Sequence, residues 1–515
     1  MATVENPSVG APSPLAIQWH AIDWRAVNRE ARRLQVRIAK AVRQKRHGKV
    51  KALQWLLTHS FSAKAWAVRR VAANRGKRTP GVDGVVWKTP EDKMQAIRSI
   101  RRRGYQPLPL RRIYIPKKNG KRRPLSIPTK GDRAQQACHL LALNPIAETT
   151  ADCHSYGFRL GRSIADALEQ CFIVLAKKNS PKVILEADIE SCFDGFSHPW
   201  MLDNIPMDSS ILRKWLKAGY LEKGAFHPTQ EGTPQGGIIS PVLANLALDG
   251  LQQAIRQAVP HSLPVHTVRF ADDFVSIAHS SELLTQKALS ASADFLAVRT
   301  LRLSAQKTKI AHIDEGFDFL GAHVRKYKGK LLIKPSKDNL HSFLRGTREF
   351  IRRNPAMKAS RLIRHLNSRI RGWANQNRRL VAKRTFQYAD RCIFKSLWRW
   401  ARRRHPKKNS QWVKAKYFRT QGNRNWIFSA PIQSKDGKTA CLDLFRASSL
   451  PIRRHVKIRA EANPFDPDFA AYFRQRRDRQ RRLRREKARR LRALNQSAMV
   501  ASPADRAEKS TLLGA

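Results

Sequence analysis

The sequence predicts an α+β chain with an antiparallel, acid-tipped sheet in its middle and basic helices on either side. Three observations carry that prediction. Residues 183–187 and 265–278 are apolar, rich in β-branched side chains and of strand length, and each run meets aspartates at its end or its turn. The stretches before and after them switch to apolar spacings of three, four and seven. Lys and Arg total 100 against 39 Asp and Glu in 515 residues, a formal charge of +61. That excess is far beyond what solubility requires, so a polyanion is the economical partner.

In chain order, residues 1–18 are rich in Pro, Ser, Ala and Val without periodicity and read as a disordered leader. Residues 19–84 read as a basic helical extension. Val27, Leu34, Ile38 and Val42 mark its packed face, while Arg32, Arg33, Arg37, Lys40, Arg43, Lys45 and Arg46 crowd the other almost without acids. The Gly, Pro and Asp punctuation of residues 74–84 makes a loop. A domain over 85–330 follows, opening with a helix near 92–103. Residues 110–116 and 123–128 alternate about Asn119-Gly120 and form a β-hairpin. Its basic residues include Lys117, Lys121, Arg122 and Arg123, and a guanidinium fork such as that of Arg123 matches phosphate oxygens.

The strand at 183–188 ends in Asp188, and the second pair of strands is joined by Phe270-Ala271-Asp272-Asp273. Neighbouring carboxylates raise each other's pKa unless a cation lies between them, and a divalent ion held by oxygens is the usual remedy. Asp188 beside that hairpin brings a third carboxylate to one edge. Two Mg²⁺ about 3.5–4 Å apart, clamped in this way, activate an attacking oxygen and stabilise the leaving one in phosphoryl transfer. Between the strands, the glycines in Thr233 to Pro241 let backbone come close to a neighbouring group. None of the glycines spells a G-x-G-x-x-G, so no dinucleotide cofactor is implied. Helical periods return over 331–430, with Leu362, Leu366, Ile370 and Trp373 in one segment and Phe386, Ile393, Leu397 and Trp400 in another. Residues 431–515 form a basic C-terminal region and a frayed tail. Within it, residues 474–492 hold 12 Lys or Arg among 19, opposed only by Asp478 and Glu486, as a nucleic-acid arm would.

The six cysteines show no Cys-x-x-Cys pair, so neither a zinc site nor a disulfide framework is written, and reduced cytosolic thiols fit best. No apolar run approaches the roughly 20 residues of a membrane span, and the start lacks a signal-peptide core. A cytoplasmic protein, associated with nucleoid or ribonucleoprotein and without a membrane partner, is the expectation.

Asp188 with Phe193 five positions on, Gly232-Thr233-Pro234-Gln235-Gly236-Gly237-Ile238-Ile239-Ser240-Pro241, and Phe270 to Asp273 follow the order and context of the palm of reverse transcriptases. The wording is most similar to enzymes encoded by bacterial group II introns. The likeness extends through Ser155-Tyr156-Gly157-Phe158-Arg159, Gly316 to Gly321 and Gly372-Trp373-Ala374-Asn375. It implies a right-hand polymerase fold: fingers and palm built on an antiparallel sheet with a split β-α-β, then an α-helical thumb or maturase domain.

The implied activity is RNA-directed DNA synthesis joined to maturase work in intron splicing and mobility. Asp188, Asp272, Asp273 and Lys307 are the implied catalytic residues, and Asp188, Ile189, Asp272 and Asp273 the ligands of two Mg²⁺. Arg123, Lys117, Arg159, Phe193, Gln235 and Gly236 are the implied substrate contacts, with Phe193 as the gate against a ribose 2′-hydroxyl and Lys307 as a proton donor to pyrophosphate. For Arg159 a structural salt bridge weighs equally. The implied partners are group II intron RNA, RNA template with DNA primer, a DNA target and dNTPs, and a homodimer is left open. Many relatives carry an HNH nuclease after the segment resembling residues 451–467. With no cysteine beyond Cys441, none is expected here. Two alternatives stay open: a domesticated enzyme of repair or phage defence, and a splicing cofactor whose polymerase activity is secondary.

Overall fold

The computed structural model describes residues 13–500 except 75, 117–119, 121 and 434–438, with the backbone alone for 484 and 487–500. Two compact units divide the chain. The first comprises Met1–Val174, Asn179–Ala311 and Ile458–Ala470, and the second Leu175–Lys178, His312–Lys457 and Ala471–Ala515.

The first unit opens with helices. Pro14–His20 is already helical, capped by Ser13, whose Oγ accepts from the Ala16 N–H and donates to Glu91 at 2.8 Å. This corrects the expected leader, which covers too much: Pro14 in the first turn reads as disorder by composition but is pre-set for a helix start. Residues 1–12 lie outside the described residues. Trp24–Arg43 follows, with the Asp23 carboxylate accepting from two first-turn N–H groups. Its buried stripe of Val27, Ala31, Leu34 and Ile38 joins His47–His59 and Phe61–Ala73 in packing on Lys130–Thr150. Gln35 donates from this stripe to the Leu141 carbonyl at 2.8 Å, so the one polar residue in it is satisfied.

Two sheets carry the middle of the chain. Leu110–Pro116 pairs antiparallel with Arg122–Ile127 as expected, and Tyr220–Glu222 with Ala225–His227 extends that sheet on the other side. The turn of the first hairpin, including Lys117 and Lys121, falls largely outside the described residues. The other sheet has the order His266–Phe270, Asp273–Ala278, Val183–Asp188, Lys309–His312. Its two central strands are buried along most of their length, which is why they read as near-continuous apolar runs.

The second unit starts with a sheet of Phe317–Phe319, Ala322–Tyr327 and Lys330–Pro335. The division therefore falls at residue 312, not at 331: Pro335 leads through the Ser336 cap into Lys337–Arg353, and Val381 donates to the Ile333 carbonyl at 2.8 Å. With Ala359–Asn377 and Lys383–Arg404 that helix encloses a core containing all eight apolar residues singled out by spacing. Phe343 stacks on Trp373 with centroids 4.2 Å apart. Phe418–Gln421, Arg424–Gln433 and Thr439–Asp443 then form a three-stranded sheet that the helical reading did not foresee, and Ala470–Val500 is a long helix.

Residues 458–469 return to the first unit. Ile458, Ala462 and Phe465 are buried there. The Ile458 N–H donates to Asp166 at 2.8 Å, Arg162 donates to the Ala460 carbonyl at 2.7 Å, and Arg43 pairs with Asp466 at 2.5 Å. Arg32 donates to the Pro464 carbonyl and lies over the Phe465 ring at 4.9 Å. Arg32 and Arg43, two of the cations on the basic face, thus hold this returning segment. No helix among the described residues is long and apolar enough to cross a membrane.

Candidate active site

The register of the acid-tipped sheet decides which carboxylates meet. Asp188 lies directly opposite Asp273, and Phe270 opposite Asp273 closes the hairpin around Ala271 and Asp272. The Ile189 N–H donates to the Asp272 carbonyl at 3.1 Å, fixing the turn against the end of the neighbouring strand. Ile189 has a buried apolar side chain, so only its carbonyl is a candidate metal ligand. Ala271 adopts φ +60, a left-handed conformation that costs an L-residue energy and needs support.

That support comes from the segment before it. The Arg269 N–H donates to the His154 carbonyl at 3.0 Å, and the Tyr156 N–H to the Arg269 carbonyl at 2.9 Å. Gly157 then lies so close that a Cβ would stand 2.3 Å from the Ala271 nitrogen. Beneath the turn, the buried Arg269 guanidinium pairs with Asp249 at 2.6 Å and with Asp152 at 3.7 Å. Nothing in the sequence pointed to this triad, because residues 152, 249 and 269 are far apart and share no pattern.

Electrostatics mark the edge as short of positive charge. Burial, then Asp188 and Asp272, push the Asp273 carboxyl up to about 6, and burial with Asp188 raises that of Asp272. Lys307 Nζ donates to Asp188 Oδ2 at 2.6 Å, and this bond holds the ammonium protonated above its ordinary range. Among the described residues no three His, Cys, Asp or Glu side chains form a ready-made cage. What is present is a donor set of hard carboxylate oxygens on one edge, mutually repelling and part-neutralised by one ammonium, which suits a hard divalent cation.

The remaining residues singled out by sequence fall into three groups. Phe193 is half-buried beside the core, its ring edge-on to the exposed Phe158 at 6.2 Å. Gln235 is held from both sides: Arg123 Nε donates to its Oε1 at 2.8 Å, and its Nε2 donates to Asp194 Oδ2 at 2.8 Å. Gly236 has φ +129, and a Cβ there would lie 2.5 Å from the Ser126 carbonyl. At Gly232 it would lie 2.6 Å from that of Asp194. These glycines allow the loop to approach protein backbone on both sides, and Gly236, expected against substrate, lies against Ser126.

Arg159 is a correction. Its guanidinium is buried, donating to Glu148 at 3.0 Å and to the carbonyls of Asp152 and Ser155, so it ties the segment under the Ala271 turn and does not face substrate. Lys117 lies outside the described residues.

Comparisons with known proteins identify the family. Residues 115–324 match the family model of reverse transcriptase (RNA-dependent DNA polymerase), and residues 19–100 that of the N-terminal domain of reverse transcriptase. The chain is therefore a right-hand polymerase of the reverse transcriptase class. Residues 340–418 match the maturase-specific domain of group II introns. Protein YkfC of Escherichia coli (strain K12) is 34% identical over 299 residues, which cover 50% of this chain and 78% of YkfC. The group II intron-encoded protein LtrA of Lactococcus lactis subsp. cremoris is 37% identical over 200 residues, 37% of this chain and 33% of LtrA. The chain thus belongs to the group II intron reverse transcriptase/maturase family. It is an RNA-directed DNA polymerase with nucleic-acid partners, and its family depends on divalent metal. Telomerase from Candida albicans with a telomeric RNA fragment is similar at a TM-score of 0.37, 14% identity, over 61% of this chain and 60% of that one.

Proposed function

We propose that this protein extends a DNA primer on an RNA template from dNTPs, and that it serves a group II intron RNA in splicing and in transfer to a DNA target. The observation that carries the catalytic part is the placement of Asp188 across from Asp273, with Asp272 tied to Ile189 and Lys307 on Asp188. Asp188, Asp272, Asp273 and the Ile189 carbonyl would hold two Mg²⁺. Bound there, the ions would supply charge neutralisation for the attacking and leaving oxygens.

In this reading the primer 3′-oxygen forms a bond to the α-phosphorus of the dNTP as the bond to pyrophosphate breaks. Arg123 binds phosphate through the free end of its fork, while Gln235 and Gly236 shape the floor beneath the nucleotide. Phe193 excludes the ribose 2′-hydroxyl. Lys307, kept protonated by Asp188, is placed to give a proton to the departing pyrophosphate.

Primer extension on an RNA template with Mg²⁺ and dNTPs, run beside a splicing assay on the intron RNA, tests the reading. Asp272→Ala abolishes cDNA synthesis and leaves splicing nearly intact. Full retention of synthesis refutes the metal assignment. A domesticated enzyme shares every polymerase feature, and the absence of intron RNA structure around the gene would favour it.

A further inference from the structure

We propose that Asp194 is a positioning residue for nucleotide binding: its carboxylate sets the orientation of the Gln235 amide, and through it the aim of Arg123. The inference rests on the proposed reading of Arg123 and Gln235 as nucleotide contacts.

The argument is one of donor and acceptor types. A carboxylate only accepts, a guanidinium only donates, and a primary amide has one end of each kind. Asp194 Oδ2 takes the Nε2 end at 2.8 Å, and the Oε1 end is left for Arg123 Nε, also at 2.8 Å. A flipped amide would set oxygen against carboxylate and NH₂ against guanidinium, so both contacts would become repulsive. The backbone holds the three residues in register. The Ser126 N–H donates to the Gln235 carbonyl at 2.7 Å, the Thr233 N–H donates to the Phe193 carbonyl at 2.6 Å, and Gly232 abuts the Asp194 carbonyl.

The Asp194–Gln235–Arg123 relay therefore runs from the turn after Asp188 and Phe193 to the strand Arg122–Ile127. With Nε engaged, the fork presents its terminal nitrogens in one orientation, which is what bidentate phosphate binding requires. Asp194 and Arg123 are exposed and Gln235 is half-buried, so the relay adds little to stability. Its effect is on direction.

The test is steady-state kinetics with poly(rA) template, oligo(dT) primer and dTTP, with thermal unfolding and template–primer affinity measured in parallel. Asp194→Ala raises the KM for dTTP about tenfold, the scale of one lost charge-assisted hydrogen bond. It leaves kcat within about twofold and template–primer affinity unchanged. Asp194→Asn, which keeps an acceptor, restores most of the KM. Combined with Gln235→Ala, Asp194→Ala adds nothing further.

A second arm is independent of whether Asp194→Ala folds. Gln235→Glu sets two carboxylates together and raises KM, and Asp194→Asn in that background lowers it again. The proposal is overturned if Asp194→Ala leaves KM unchanged while Gln235→Ala raises it, if the two effects add, or if kcat and template affinity fall together. Should Gln235→Ala itself leave the KM for dTTP unmoved, the reading of Gln235 fails, and the relay loses its role with it.

Discussion

Lys307 Nζ stands 2.6 Å from Asp188 Oδ2, so an ammonium holds the position on that carboxylate that a cation would seek. Lys307 is 65% exposed, and the pair contributes little to stability. Removing the ammonium separates two roles. Lys307→Met lowers kcat for primer extension by about 10²-fold, the low end of general-acid contributions, while tightening the apparent affinity for Mg²⁺. An unchanged kcat with tighter Mg²⁺ binding would make Lys307 a counterion alone.

With Asp273 a metal ligand, as proposed, its carboxyl sets the pH dependence of metal binding. In the metal-free protein burial and the neighbouring aspartates push its carboxyl to about 6, so the proton wins below that pH and the cation must displace it. Affinity for Mg²⁺ therefore falls as pH drops through 6, by up to about tenfold per unit, and levels off above 7. Half-saturating Mg²⁺ measured between pH 5 and 8 checks this, and a flat profile would contradict it.

Arg269 holds two buried carboxylates under the Ala271 turn. Arg269→Met leaves Asp249 and Asp152 buried without their cation, a loss of about 3–5 kcal/mol. Denaturant unfolding measures it directly. A loss under about 1 kcal/mol would mean that the carboxylates find other partners.

Phe193 leans on Phe158 beside the palm core. Phe193→Ala raises incorporation of rNTP relative to dNTP by about tenfold or more, as removal of a steric block to a hydroxyl should. No change in the ratio returns Phe193 to the core.

Two truncations distinguish the returning segment from the arm beyond it. Ending the chain after Phe473 removes the basic helix and flattens the dependence of log K on log salt for nucleic-acid binding, because fewer counterions are released. Ending it before Ile458 also strips the Arg43–Asp466 pair and the buried Phe465, and lowers the unfolding midpoint of the first unit. Equal midpoints for the two truncations would show the segment to be loosely held.

The elements legible in the sequence were those written as repetition. The apolar strand runs ended on their aspartates, and the spacings of Leu362 to Trp400 marked one face of the helical unit. What could not be read depended on partners far along the chain. Arg159 looks the same facing phosphate or Glu148. Residues 451–467 were legible only as a resemblance to the segment that precedes an HNH nuclease in relatives, while the ties that bury part of that stretch come from Arg43, Arg162 and Asp166, hundreds of positions away. Asp194 escaped notice because one carboxylate in a turn carries no signal until its amide partner is seen.

The return of Ile458–Ala470 to the first unit makes most of the second an insertion, entered and left by separate strands of chain. A single protease nick between His312 and Lys457 would then leave each fragment with a portion of the same first body. Such a nicked molecule should stay joined under native conditions and part only in denaturant, so the enzyme is a natural candidate for expression as two complementing halves.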